Sequence, residues 1–320
     1  MPGPESLTAF PNGVSSFGVP VVGSGPTIPV TTGKYFFVHH TGSAGNAGTS
    51  PQRPISSITR ALTKCVANRA DVLILMPGHA ETITAAGGIN LNVAGVWIGG
   101  LGWGLNIPSI TFTTAASATM TVAANNIVMD NIQFVAGFAD IVAPLTIGSA
   151  DDFRVQRCLF RALATDLNFL HVFDTGTTDN SCDGLAFLEN QWFEPDAATL
   201  AFGLVDCAID RLNISRNLIV NGNATADTAA LLTIATGKNL TNLHIRDNSL
   251  DVTGNAASTA AIFITTDATA GTGILEYNKV KHLDATGEIL ITATHTWGLF
   301  ENRMTAAANA QGYLVPVVDG

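Results

Sequence analysis

Charge is scarce in this chain. Of its 320 residues only 12% are Asp, Glu, Lys or Arg, and 15 basic residues face 25 acidic ones. A net charge of −10 with thinly spread cations leaves no footprint for gripping a phosphate backbone or an anionic lipid surface, which excludes nucleic acid as a direct ligand. Solvated helical bundles carry far more charge, so that class is excluded too. The four cysteines, Cys65, Cys158, Cys182 and Cys207, contain no Cys-x-x-Cys pair. Three of them sit beside apolar residues, which suits free buried thiols better than a disulfide framework or a zinc site. No uninterrupted apolar run is long enough to span a bilayer, and "MPGPESLTAF" lacks the basic start and apolar core of a secretory signal. Synthesis and folding in cytoplasm, with no membrane partner, is the expectation.

What the chain does have is Ala, Thr, Gly and Asn in a background that is 47% hydrophobic, the profile of many short strands and tight turns. "LNISRNLIVNG" reads as a strand that bends at an asparagine and continues, with Ile214, Asn217 and Ile219 as its frame. The frame returns as Phe187, Asn190, Trp192, then Ile245, Asn248, Leu250, then Leu275, Asn278, Val280 and finally Leu299, Asn302, Met304. Two earlier segments keep it with other anchors: Val155, Cys158, Phe160 and Ile127, Asp130, Ile132. From Asp130 to Asn302 the anchors recur at intervals of 28, 32, 27, 31, 30 and 24 residues. Intervals of roughly 20–50 residues mark stacked repeats.

A further strand lies between anchors, as in "LTIG" at Leu145, "FGLV" at Phe202 and "LLTI" at Leu231. Such a unit cannot bury its apolar face alone. Stacking coils about 4.8 Å apart pairs each strand with those above and below and encloses one continuous core. The fold expected is all-β, a right-handed parallel β-helix over residues 34–308. At each bend an inward asparagine can donate its amide to the one a coil away and tolerate a left-handed backbone, so Asn190, Asn217, Asn248, Asn278 and Asn302 are expected to form a ladder. "SSITRALTKCVANRA" places Ile58, Leu62, Cys65 and Val66 on one face of a short helix near residues 55–68, the cap that an open solenoid end needs. "GVWIGGLGWG" reads as an early coil with Val96, Gly99 and Leu101 in the frame.

"YFFVHHTGSAGNAGTSPQRPISSITRALTKC" followed by "ADVLILMPGHAETI" resembles the opening of right-handed parallel β-helix proteins of the pectin-lyase-like superfamily. The resemblance covers Lys34 to about Met304 and implies a fold. It does not imply an activity, because that fold hosts lyases, hydrolases, epimerases and binding proteins. The leading "FPNGVSSFGVPVVGSG" is similar to the beginnings of β-helix proteins of tailed bacteriophages.

The acidic candidates for catalysis are Asp174, Asp179 and Asp183 in "FDTGTTDNSCDG" and Glu194 in "FEPDAA", with Asp206 and Asp210 beyond them. Lyases of this resemblance hold calcium on carboxylates and use Arg or Lys as base, but no Arg or Lys lies between Arg161 and Arg211. A hydrolase would need only two carboxylates. Asp–Gly and Asp–Asn clusters also make ordinary turns. The adjacent His39 and His40 would point to opposite faces of a strand, and His79, His171, His244, His282 and His295 follow no ligand spacing, so no metal and no cofactor are expected. Of the four tryptophans, Trp97, Trp103, Trp192 and Trp297, at least Trp192 takes an inward position.

Residues 1–33 combine six prolines with Phe10, Phe17, Val19, Val21, Val22 and Ile28, too apolar for a solvent linker. They read as an extended arm that buries these side chains on a partner, and the tail 309–320 has the same character. The resemblance then implies a structural, non-enzymatic virion protein on the capsid exterior, a decoration or cement protein that partners itself as a homotrimer and the major capsid protein. The alternative is a tailspike that binds or hydrolyses bacterial surface polysaccharide.

Overall fold

A computed structural model describes residues 14–16, 19–21, 28–194, 198–222, 229–252, 261–266, 271–281, 288–291, 297–305 and 311–313. The chain winds into a right-handed parallel β-solenoid in which each full coil contributes three short strands. Sheet 1 runs from Tyr35–Val38 to Gly298–Phe300, sheet 2 from Ala80–Ile83 to Arg303–Thr305, and sheet 3 from Ile89–Leu91 to Glu288–Ile291. The repeating frame straddles the bend between sheets 1 and 2. Its first apolar residue belongs to one sheet and its last to the other.

Register explains why the frame is apolar at both ends. Ile110, Phe134, Phe160, Trp192, Ile219, Leu250 and Val280 stand opposite one another along sheet 2 and are all buried. Phe134 and Phe160 stack with ring centroids 4.6 Å apart, and Phe173 and Phe187 do so across the core at 4.2 Å. Burying each such side chain contributes about 1.5–3 kcal/mol. One core cluster extends from Phe36 to Trp297.

The two earliest frames are corrected. Asp130 pairs with Gln156, and Gln133 with Leu159, which sets Ile132 opposite Cys158. The frame of that coil is therefore Met129, Ile132, Phe134, two residues later than the sequence pattern suggested. Gly99 pairs with Asp130 and Ile98 with Met129, so the coil before it also begins its frame two residues later, but an inserted loop carries its sheet 2 position on to Ile110. Strand alternation has a period of two, and Ile127, Met129, Ile132 and Phe134 are all buried, so the pattern slides by two without losing its apolar matches.

The capping helix is shorter than the expected 55–68 span. It covers Ile58–Leu62, with Ser57 accepting from the Arg60 amide as N-cap. Ile58, Ala61 and Leu62 are buried against strands Tyr35–Val38 and Ile89–Leu91, but Cys65 is only half-buried and Val66 is 49% exposed. After Leu62 the chain curls so that the Val66 amide reaches Asp71 Oδ2 at 2.8 Å, and the turn passes through left-handed Asn68 and Ala70. Asp71 is fully buried and also takes the Lys34 amide and both Arg69 nitrogens, Nε and an Nη, which ties the first strand, the helix exit and the second strand together.

Of the arm, Val14–Ser16 and Val19–Val21 pair as an antiparallel hairpin, and Ile28 is half-buried. Phe10, Phe17 and Val22 lie outside the described residues. In the tail, Gln311–Tyr313 folds back antiparallel on Arg303–Thr305 and occupies the open edge of sheet 2.

Candidate functional site

The asparagine column is a hydrogen-bonded ladder. Oδ1 of Asn217 accepts the Asn190 backbone N–H at 2.9 Å and its side-chain amide at 3.1 Å. Asn248 does the same for Asn217, Asn278 for Asn248 and Asn302 for Asn278, at 2.8–3.1 Å. Every side-chain amide also donates to a strand carbonyl one coil back, such as Ile214 for Asn248 at 2.8 Å. The column starts one rung earlier, where the Cys158 amide donates to Asn190 Oδ1 at 3.0 Å.

The left-handed residue at each bend is the one before the anchor. Asn131, Arg157, Glu189, Arg216, Asp247, Tyr277 and Glu301 all have φ between 43° and 59°. Each carries a Cβ and so costs roughly 1–2 kcal/mol in that conformation. In the five asparagine coils, the buried bonds at the next residue hold the bend.

A second ladder lies at the corner from sheet 3 to sheet 1, and it takes in the candidates Asp183 and Asp210. Asn125 Oδ1 accepts the Asp151 amide at 3.0 Å, Asp151 Oδ1 the Asp183 amide at 3.0 Å, and Asp183 Oδ1 the Asp210 amide at 2.8 Å. Asp210 closes the series on Thr241 and Asn242 side chains. Asp179 Oδ1 receives the Ala208 amide and Lys238 Nζ, both at 2.8 Å. Those bonds to Lys238 and Ala208 hold its carboxyl below the usual range. Glu194 ends a strand of sheet 2 with its side chain fully buried, where Oε2 accepts the Phe169 amide at 3.2 Å. The structure thus spreads the four candidates over a strand, a turn ladder and the interior, and does not gather them.

Asp174 is different. It stands in the Phe173–Thr175 strand of sheet 3, and its Oδ1 is buried without a protein donor. Burial first, and then the charge of Asp206, push its carboxyl up to about 6. Asp206 is placed by its own amide, which donates to Thr175 Oγ1 at 2.8 Å. Buried His171 shares this neighbourhood. Its Nδ1 lies 2.8 Å from the Ala201 carbonyl, and burial keeps the imidazole below its usual pKa. A carboxyl pushed up to about 6 beside a second acidic side chain has the raised pKa that a general acid needs. Among the described residues no Arg or Lys forms an ion pair with either.

Three groupings escaped the sequence reading. Asp130 faces outward from sheet 1, where its Oδ2 takes Gln156 Nε2 at 3.0 Å and an Arg157 Nη. Burial still leaves that carboxyl above its ordinary value. The His39 and His40 rings lie together, tilted by 33° with centroids 4.4 Å apart, contrary to the expectation of opposite faces, because both lie beyond the end of the Tyr35–Val38 strand and its alternation. Both rings are 6.3 Å from buried His79, whose Nε2 is 3.1 Å from Glu81 Oε1. The His79-x-Glu81 spacing, with Glu81 on the Ala80–Ile83 strand and His79 just before it, was the available signal. His39 borders a concavity of about 470 Å³ with Thr41, Ser43, Asn46, Met76 and Pro77. Among the described residues no group of three His, Cys, Asp or Glu is arranged to hold a metal ion.

Third is the loop after the Trp97–Gly100 strand. Trp103 is 87% and Leu105 fully exposed, yet the loop is held by Asn131 Nδ2 on the Gly100 and Gly102 carbonyls at 2.8 and 3.1 Å. Gly102 sits at φ 110°, and a Cβ there would lie 2.4 Å from the Asn106 carbonyl oxygen, so only glycine fits. Of the other tryptophans, Trp192 and Trp297 are buried and Trp97 lies half-buried on the outside of sheet 1.

Compared with known structures, the chain superposes on a pectin methylesterase from Aspergillus niger with a TM-score of 0.51, over 91% of this chain and 94% of that one at 14% identity. The chain has the pectin-lyase-like fold. A rhamnogalacturonan lyase aligns over 84% of this chain and 87% of its own at 10% identity and a TM-score of 0.49. Pectate lyase Pel9A aligns over 89% and 81% at 12% identity and 0.38. No protein-family model matches the sequence, and no curated protein does either. The pectin-lyase-like fold is thus shared while the residues are not.

Proposed function

We propose that the protein is a structural, non-enzymatic component of a tailed-phage virion, a homotrimer that decorates and stabilises the capsid exterior. The observation that carries the non-enzymatic reading is the use made of the carboxylates. Asp179 and Asp183 are bonded to backbone amides of the next coil and Glu194 is buried on the Phe169 amide, so these groups serve the solenoid. The tightly held loop presenting Trp103 and Leu105 supports attachment to another protein, because ordered and fully exposed large apolar side chains are interface anchors. The capsid and the trimer rest on the likeness of the leading arm to those of phage β-helix proteins. The major capsid protein would take the arm and no nucleic acid or membrane would be contacted.

The second reading, a tailspike-like protein that binds or hydrolyses bacterial polysaccharide, is favoured by Asp174 and Asp206 alone. Quantitative mass spectrometry of purified parent particles separates the two. Copy numbers comparable with the shell protein support decoration. A few trimers per particle refute it and make polysaccharide cleavage by wild type and Asp174→Asn the next assay.

A further inference from the structure

All four cysteines are unbonded, and Cys65 and Cys158 stand apart from the other two. Cys182 and Cys207, 25 residues apart in sequence, are both fully buried and bring their sulfurs within 3.1 Å. They occupy successive coils at the corner that carries the aspartate ladder, next to Asp183 and after Asp206. Coils stack about 4.8 Å apart, which falls within the roughly 4.4–6.8 Å between Cα atoms that a disulfide spans. The two sulfurs therefore lie at a separation that bond formation shortens by about 1 Å, to the ~2.05 Å of a disulfide.

We propose that Cys182 and Cys207 are a latent cross-link between coils, closed by a small-molecule disulfide when the protein meets oxidising conditions. The Cys207 sulfur, as thiolate, attacks one sulfur of the small disulfide and expels one small thiolate, which takes up a proton. The Cys182 thiol then loses its proton, and its sulfur attacks that of Cys207 and expels the second small thiol. Two protein thiols become one disulfide, and the small disulfide is reduced to two thiols. The order follows from the local contacts. The contact with Cys182, with Thr175 and Lys238 beyond it, holds the Cys207 thiol down, whereas the same contact and burial push Cys182 up, with Asp183 and Asp151 adding to it. Because neither sulfur reaches solvent, the reaction waits on opening of the corner, and the rate reports that opening.

The test incubates the full-length protein with oxidised glutathione at pH 8, with and without a sub-denaturing concentration of urea, followed by alkylation in denaturant and intact-mass analysis. Two alkylated cysteines in place of four, a peptide map joining Cys182 to Cys207, and faster closure in urea are expected. The oxidised form should unfold at higher urea than the reduced form, and dithiothreitol should reverse the gain. Cys182→Ala should trap Cys207 as its mixed disulfide with glutathione, seen as one glutathione adduct and two alkylated thiols, and should show no oxidation-dependent gain in stability. Four alkylated cysteines after complete exchange in urea, a pairing that involves Cys65 or Cys158, or a disulfide that lowers the unfolding midpoint would each overturn the proposal.

Discussion

Replacing Asn248 with alanine removes four buried hydrogen bonds at once. Its Oδ1 accepts the backbone and side-chain amides of Asn217 at 3.0 and 2.9 Å, and its Nδ2 donates to the Ile214 carbonyl and Asn278 Oδ1 at 2.8 and 2.9 Å. Two partners are compensated, since the Asn217 side chain keeps the Phe187 carbonyl and Asn278 Oδ1 keeps the backbone amide of residue 248. The Asn217 backbone amide is left buried with no acceptor, at about 1–3 kcal/mol, and the remaining losses add about 1 kcal/mol each when uncompensated. The expected destabilisation is about 2–4 kcal/mol. Urea unfolding followed by tryptophan fluorescence reads it, because fully buried Trp192 belongs to a coil of the same ladder. Asn248→Asp separates the ladder from simple packing. The carboxylate still accepts from Asn217 but faces two oxygens where the amide donated, so its pKa rises. Its stability should then fall as pH rises through that value and recover in acid. An Asn248→Ala midpoint equal to wild type, or an Asn248→Asp variant indifferent to pH, would refute the reasoning.

The other sites make sharper pH predictions. With Asp174 held near 6 against about 3.9 when unfolded, the native state binds the extra proton, so stability declines as pH climbs from about 4 to 6. Two pKa units correspond to about 3 kcal/mol, which partial solvent screening reduces, so Asp174→Asn should stabilise by about 1–2 kcal/mol at pH 8 and not at pH 4. Asp71 has the opposite sign. Burial alone would raise its carboxyl, but Arg69 and the Lys34 and Val66 amides outweigh burial and hold it low. Its contribution is present above pH ~4 and is lost as pH falls through the depressed value, and Asp71→Asn should cost about 2–4 kcal/mol at neutral pH. Asp183→Ala should cost about 1 kcal/mol through the stranded Asp210 amide, while Asp183→Asn, which keeps the acceptor, should unfold within ~0.5 kcal/mol of wild type.

Polar residues inside an apolar frame made the asparagine column readable from the chain alone, because a buried asparagine needs a partner and the repeat supplies an identical one. The same regularity concealed the early register, since a period of two fits equally well when displaced by two. The left-handed positions at Glu189, Arg216 and Tyr277 left no trace, being occupied by residues with no preference for that backbone. The acidic loop was legible as an aspartate cluster. That Asp179 and Asp183 would hold backbone amides one coil on depends on how many residues each corner inserts, which spacing alone does not reveal. Likewise Cys182 and Cys207, or His39 and His79, meet only because unequal loops bring them to the same corner.

The asparagine ladder runs one way along the chain. From Asn190 to Asn278, each anchor's backbone amide finds its acceptor on the coil that follows it, as Asn190 does on Asn217 and Asn278 on Asn302. During synthesis from the N-terminus, a newly exposed coil therefore holds an unsatisfied bend until the next one leaves the ribosome. Ordering trails translation by one coil, and a nascent chain halted after residue 230 would leave the Asn217 bend open, a frayed end that only further elongation can close.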